Sequence, residues 1–472
     1  MPASQPPQSQ PYDVVVLGAG PGGYSAAIRA AQLGKSAAVV ERDKVGGVCL
    51  NWGCIPTKAL IRNAEVLGLV RRAGEFGIKV GGIEADFGAA VDRSRRVAGK
   101  LAKGVEYLLK KNKVTLIPGS GRFLGPRDIA VVGADGAQTA VLRAQHVIIA
   151  TGSHAKSLPG VEVDGRRVIT STEAMLLREL PESMIILGGG AVGVEFAYVF
   201  SMYGVQVTIV EMLPHILPGV DEEISTGLER SFAKRKIVLR SGWKVEGATV
   251  EAAAARVRVS KAGQMDELRA DVVLMAVGRG GNTEGLGLEA AGVAVERGVI
   301  AVDGFCRASV PHIYAVGDVN GPPLLAHAAA AEGVLAAEHL AGTSPRPRDP
   351  ARAPSCVYCQ PQVASLGLTE AQAAAEGRAV KIGRYPFMAN GRAQAEGDYE
   401  GLVKLIADAA SGALLGAHIL GHSAAELINE INGFSTLEAP VARLGHTIHA
   451  HPTYAESLME AALSITGEAI NI

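Results

Sequence analysis

Two stretches of the chain repeat one alternation of apolar, glycine and polar positions. The apolar run in YDVVVLGAGPGG (residues 12–23) leads straight into a glycine turn. SAAIRAAQLG then places apolar side chains at helical spacing, and KSAAVVE reads as a second strand. The order returns in SMIILGGGAVG, VEFAYVFSMYG and VQVTIVE across residues 183–211. The spacing is also the same. Gly18 to Gly34 and Gly188 to Gly204 are both 16 residues; Gly18 to Glu41 and Gly188 to Glu211 are both 23. The pattern predicts two Rossmann-like units of one design, and hence two dinucleotides bound by one chain.

Other segments fill the frame. LAKGVEYLLKKNKVTLIPGSGRF reads as helix then strand, and QHVIIATGS as a buried strand ending in a Thr-Gly turn. DVVLMAVGR and HIYAVGD are apolar strands closed by glycine. GTSPRPRDPARAP reads as a linker, and beyond it strands such as GLVKLIA and GALLGAHIL alternate with helical patterns. The expected class is α/β: two Rossmann-like dinucleotide-binding domains plus a C-terminal α+β domain. The expected segments are a disordered tail at 1–10, a first nucleotide domain at 11–152, a second at 153–280, a central domain at 281–350 completing the first site, and a terminal domain at 351–472.

Composition narrows the function classes. At 472 residues the chain exceeds a single hydrophobic core, and 48% apolar residues are enough to fold it. A formal net charge of -1 with no long basic run gives no electrostatic reason to expect nucleic acid or an anionic membrane as partner. The start, MPASQPPQSQ, has neither the basic beginning nor the apolar centre of a signal peptide, and no apolar run reaches the length of a membrane span without a break. These features predict a soluble, cytoplasmic protein.

The chemistry concentrates in a few places. Gly18, Gly20 and Gly23 permit a tight turn and close approach of a pyrophosphate to a helix N-terminus, with Glu41 placed for a ribose hydroxyl. Gly188, Gly190, Gly193 and Glu211 repeat the device. A carboxylate at Glu211, with no Arg or Lys in VEMLPHILP, favours NAD over NADP. In GGVCLNWGCIPTKAL, Cys49 and Cys54 are separated by four residues. A bridge closing so small a loop gains only about 2 kcal/mol of chain entropy. It is a poor staple but a good reversible electron carrier, and the helix start that follows favours a thiolate. Exchange with a substrate dithiol also needs a base. Three histidines near the C-terminus, His446, His449 and His451, are candidates, and their residue types do not choose among them. Cys356 and Cys359 form a C-x-x-C read as two packed or semi-exposed thiols, and Cys306 as a plain residue. No metal site is expected.

GGVCLNWGCIPTK, with ATGS at 150–153, VGR at 277–279, AVGD at 315–318 and LLAH at 324–327, resembles the pyridine nucleotide–disulfide oxidoreductases, in the family's order. GAHILG, INEI and HAHPTYAE resemble the branch that oxidises protein-bound dihydrolipoamide with NAD. The resemblance implies FAD and NAD as cofactors and a homodimer joined by residues 351–472. Cys49 is then the interchange thiol and Cys54 the thiol against the flavin. Lys58 and Glu195 form a charged pair near the flavin ring. Arg42, Gly47, Gly121, Thr151, Gly152, Ser153, Asp318, Leu325, Ala326 and His327 contact FAD, and Gly278 and Arg279 belong to the cofactor sites. His451 and Glu456 become the acid–base dyad, reaching the partner subunit's active site. Expected partners are the lipoyl domains and acyltransferase core of 2-oxo acid dehydrogenase complexes, or the lipoyl protein of glycine cleavage. Ala328 stands where the family usually has Lys, and Gln360 and Gln362 flank Pro361 where an acid is common. The rival reading is an NADPH-dependent disulfide reductase of the glutathione reductase type, against which Glu211 and the C-terminal segment argue.

Overall fold

The computed structural model describes residues 10–472, so the tail expected at 1–10 lies outside the described residues except for Gln10, which pairs as strand with Leu142. The chain groups into two compact units. One comprises the residues up to Pro56 with Asp92–Lys156 and Arg279–Pro350. The other comprises Thr57–Val91, Ser157–Gly278 and Ala351–Ile472. Residues 57–91 therefore group apart from the rest of the 11–152 segment. The reason is apolar: Leu60, Ile61, Ala64 and Phe87 share a core with Phe196, Phe200 and Val357.

In the first unit, strand Gln10–Leu17 is central. It pairs in parallel with Ala37–Glu41 on one side and Gln138–Ile149 on the other; Thr115–Pro118 and Ile313–Ala315 extend the parallel part. Val14, Val15 and Val16 are all fully buried. This is why the strand reads as a continuous apolar run rather than an alternating one. Asp128–Val132 and Ser120–Phe123 add an antiparallel edge. Helix Pro21–Gln32 packs against Ala326–Leu340 with almost no side chain between them. A Cβ on Gly333 would lie 2.2 Å from the Gly22 carbonyl oxygen.

In the second unit, Ser183–Leu187 is the central strand of a five-stranded parallel sheet, flanked by Gln206–Glu211 and Val272–Met275, with Val238–Ser241 and Val168–Ile169 at the edges. A three-stranded antiparallel sheet follows, Lys244–Val250, Ala255–Lys261 and Gln264–Ala270. The C-terminal segment forms its own five-stranded antiparallel sheet, ordered Ser355–Val357, Gln362–Gly367, Leu414–Gly421, Leu402–Asp408 and Val380–Pro386, against which Ala424–Thr436 and Glu456–Thr466 pack. The α+β character expected after the linker is what forms there.

Candidate active site

The two glycine turns are built alike. Gly18 and Gly188 have φ of +103° and +106°, where a Cβ would lie 2.4 Å from the carbonyl oxygen of Ala150 or Ala276. A Cβ on Gly23 or Gly193 would strike the carbonyl oxygen of Gly18 or Gly188, at 1.9 and 2.1 Å. The middle glycines, Gly20 and Gly190, meet nothing within 4 Å and cap the helices Pro21–Gln32 and Ala191–Met202. Each turn is closed behind and open in front, at a helix N-terminus, which is the cradle a pyrophosphate needs. Glu41 accepts the Ala19 N–H at 2.7 Å and the Asp43 N–H at 2.8 Å. Glu211 accepts Gly189 and Leu213 at 2.7 and 2.8 Å. Each acid therefore braces its own turn.

Several of the residues expected at FAD lie near the first turn or bond one another. A Cβ on Gly47 would lie 2.7 Å from Gly20 Cα, and one on Gly121 2.5 Å from a Leu17 methyl. Ser153 Oγ donates to Asp318, Arg279 donates to Ser153 Oγ and O at 2.7 Å each, and Thr151 exchanges two 2.8 Å bonds with Asn282. Leu325 caps the helix that begins at Ala326 and His327, while Arg42 is exposed just past Glu41, and Gly152 and Gly278 take φ of +70° and +109°. The cradle, the small residues and the braced acid fit FAD. Sequence reading missed Glu332. It is buried and accepts the Gly317 N–H at 2.8 Å, Asn320 Nδ2 at 2.9 Å and Arg348 at 2.5 Å, fixing the turn that carries Asp318. An acid inside an Ala-rich helix was the available signal.

Cys49 and Cys54 are joined by a disulfide with Cα atoms 4.6 Å apart. Cys49 sits in the short helix Gly47–Trp52. Cys54 is the first residue of the helix Cys54–Arg71, where the dipole stabilises a thiolate. Lys58 follows one turn on. Its Nζ donates to both Glu195 oxygens, at 2.9 and 2.8 Å, and lies 4.5 Å from the Tyr358 ring centroid. Glu195, buried, also accepts the Tyr358 N–H at 3.0 Å. The charged pair is thus held by the strand-end loop carrying Cys356 and Cys359. Burial pushes the Cys356 thiol up to about 11 and the Cys359 thiol higher still; Cys359 donates to Pro361 O. Cys359 is buried and Cys356 half-buried, where packed or semi-exposed thiols were expected. Cys306 is core, its thiol pushed up to about 12 by burial.

The histidines separate by environment. His449 bonds Glu430 and Thr447 O, each at 2.8 Å, and its side chain is 6% exposed. His446 bonds Ala442 O at 2.8 Å. His451 pairs through Nδ1 with Glu456 at 2.9 Å, yet its side chain is 76% exposed. Glu456 is partly buried, which raises its pKa, but bonds from the Thr453 N–H and His451 outweigh this and hold it below the usual carboxylate range. An ionised carboxylate only accepts, so Nδ1 carries the hydrogen in this bond. Among the described residues no cluster of His, Cys, Asp and Glu could hold a metal ion, and no helix is long and apolar enough to cross a membrane.

Comparison with known proteins agrees with this geometry. Residues 12–333 match the family described as pyridine nucleotide-disulphide oxidoreductase, and 353–462 match its dimerisation domain. The chain is 47% identical to dihydrolipoyl dehydrogenase of Chlorobaculum tepidum over 452 residues, 96% of both chains. It is 48% identical to that of Mycobacterium tuberculosis over 463 residues, 98% of this chain and 99% of that one. The crystal structure of LpdA from Mycobacterium tuberculosis superposes with a TM-score of 0.89 at 29% identity, covering 97% of this chain and 99% of that one. The copper(II) complex of the HOCl-induced flavoprotein disulfide reductase RclA of Escherichia coli gives 0.86 at 28%, covering 96% and 99%. With a redox disulfide at a helix start, two braced glycine turns and near full-length likeness to dihydrolipoyl dehydrogenases, the chain belongs to the pyridine nucleotide–disulfide oxidoreductases.

Proposed function

We propose that this chain is a dihydrolipoyl dehydrogenase, oxidising protein-bound dihydrolipoamide to lipoamide with NAD+. The observation that carries the reading is the Cys49–Cys54 bridge, closed across four residues at the start of a long helix. It sits in a chain whose relatives of that name align over nearly their whole length.

His451 Nε2 takes a proton from the substrate dithiol, with Glu456 holding the imidazole in the tautomer that leaves Nε2 free. The substrate thiolate attacks Cys49 Sγ, the Cys49–Cys54 bond breaks, and Cys54 departs as a thiolate at its helix N-terminus. The second substrate thiol displaces Cys49, so the substrate closes to a disulfide and the protein keeps two reduced cysteines. FAD, when bound, supplies the two-electron carrier between this thiol pair and the nicotinamide. Gly18, Gly20, Gly23, Glu41, Gly47, Gly121, Thr151–Ser153, Asp318 and Leu325–His327 would hold it, and the resemblance assigns the Lys58–Glu195 charged pair to it as well. Gly188, Gly190, Gly193 and Glu211 hold NAD.

The active unit is a homodimer in which His451 of one copy serves the thiols of the other, working in the cytoplasm. Its substrate is carried by the lipoyl domains of a 2-oxo acid dehydrogenase complex or of glycine cleavage. Purified flavin-loaded protein assayed with dihydrolipoamide or glutathione against NAD and NADP tests the reading. Turnover is expected with dihydrolipoamide and NAD+. Faster reduction of oxidised glutathione by NADPH would replace this reading with the glutathione reductase type.

A further inference from the structure

The turn that joins His451 to Glu456 has two local bonds of its own. The Thr453 N–H donates to Glu456 at 2.8 Å, and Thr453 Oγ1 donates to Ala450 O at 2.8 Å. The helix that follows, Glu456–Thr466, starts without a side-chain cap. Two further bonds reach this turn from a short helix elsewhere in the C-terminal segment, Gly391–Glu396. At its start, Asn390 is buried and donates from Nδ2 to Thr453 O at 2.9 Å and to Ser457 Oγ at 3.1 Å. Its Oδ1 accepts the Ala393 N–H at 3.0 Å and so caps the short helix. At the other end, Glu396 accepts the Tyr454 hydroxyl at 3.0 Å and pairs with Arg392. Burial, then the bond to Glu396, pushes the Tyr454 phenol pKa up, so it stays a donor. The short helix also passes beside the imidazole: a Cβ on Gly391 would lie 3.9 Å from His451 Cε1.

We propose that helix Gly391–Glu396 braces the acid–base dyad, with Asn390 and Glu396 as positioning residues that hold the His451–Glu456 turn in the geometry for taking a proton from the substrate dithiol. The inference rests on the dihydrolipoamide reading above. The His451 side chain is 76% exposed, so its aim depends on the backbone that carries it and on Glu456 more than on side chains packed around it. Thr453 joins the two: its N–H is held by Glu456 and its carbonyl by Asn390. Proton transfer is sensitive to placement on the scale of an ångström, so a turn released from this brace loses rate at the thiol step. Capping the short helix is a separate duty of Asn390. Ser caps a helix about as well as Asn, but its hydroxyl is too short to span to Thr453 O.

The test separates the thiol step from the rest of the cycle in flavin-loaded protein. Dihydrolipoamide is added without NAD+, the mixture is quenched with an alkylating reagent at set times, and mass measurement counts the new protein thiols. Each dihydrolipoamide gives up two electrons and two protons and closes to a disulfide, while Cys49–Cys54 becomes two thiols. In parallel, NADH is oxidised by ferricyanide, two ferricyanide ions taking one electron each. That transfer needs no thiol proton, so the dyad takes no part in it. Asn390→Ser is expected to slow bridge reduction about tenfold, and Tyr454→Phe, which removes only the hydroxyl on Glu396, about threefold. Both are expected to keep NADH–ferricyanide transfer within about twofold of the parent. Bridge reduction at the parental rate in Asn390→Ser shows that the helix cap is all Asn390 supplies and overturns the brace. So does an equal fall in both rates, which marks general damage to the fold. If Asn390→Ser yields no flavin-loaded protein, Tyr454→Phe decides, and a parental rate there overturns the brace. His451→Gln is measured alongside. A slow bridge reduction in it with parental rates in the other two sinks the brace alone; a parental rate in His451→Gln sinks the acid–base reading itself.

Discussion

Glu195 receives two bonds from Lys58 and one from the Tyr358 N–H, and its side chain is 6% exposed against 32% for Lys58. Removing the cation strands a buried carboxylate with one backbone donor, which is costlier than removing both partners. Lys58→Met is expected to lower unfolding stability by about 2 kcal/mol, and Lys58→Met/Glu195→Gln to recover most of it, read by urea titration. His449 tells a pH story. The bond to Glu430 raises its pKa above the ordinary histidine value, against a smaller opposing effect of burial. A raised folded value means the stabilisation is fully present below the unfolded pKa, about 6.5, and is lost as pH rises through the folded one. The stability difference between parent and His449→Gln is therefore expected to be largest below about pH 6 and to shrink toward pH 9; urea midpoints across that range check it. The His-Pro-Thr segment and Glu456 pointed to His451, and the structure adds the bond between His451 and Glu456. The Glu430 partner of His449 was not legible, because it depends on how the C-terminal segments pack.

At the scale of elements, the strands and glycine turns were legible because their signal is local: apolar runs ending in glycine at fixed spacing. Contacts between distant elements were not. Helix Pro21–Gln32 meets Ala326–Leu340 through Gly22, Ala26 and Gly333, so the alanine run that includes Ala328 is a packing surface. A Cβ on Gly333 would fall 2.2 Å from Gly22 O and 3.1 Å from Ala26 N, atoms that are backbone and cannot swing aside. Gly333→Ala is expected to destabilise the first unit by about 1–3 kcal/mol, the usual cost of overpacking. Because the displaced helix starts at the first glycine turn, flavin release on heating should come several degrees earlier. An unchanged release temperature would show that the helix pair tolerates a wider separation.

At the scale of the molecule, the two dinucleotide units repeat not only in sequence but in their bonds. Gly18 N donates to Val40 O and Gly188 N to Val210 O, both at 2.8 Å. Ala150 and Ala276 donate to Leu17 O and Leu187 O, again both at 2.8 Å. The regrouping of residues 57–91 could not be read from the chain, since it arises from Leu60, Ile61 and Ala64 meeting a core that begins far downstream. The central claim is that electrons enter through the outer sulfur of the Cys49–Cys54 bridge. Flavin-loaded Cys49→Ser, assayed for dihydrolipoamide oxidation by NAD+ with its flavin absorbance recorded, addresses that claim directly. The account predicts turnover lowered by at least a thousandfold, roughly what loss of a covalent nucleophile costs, with flavin fully retained. Undiminished turnover in that variant would contradict it.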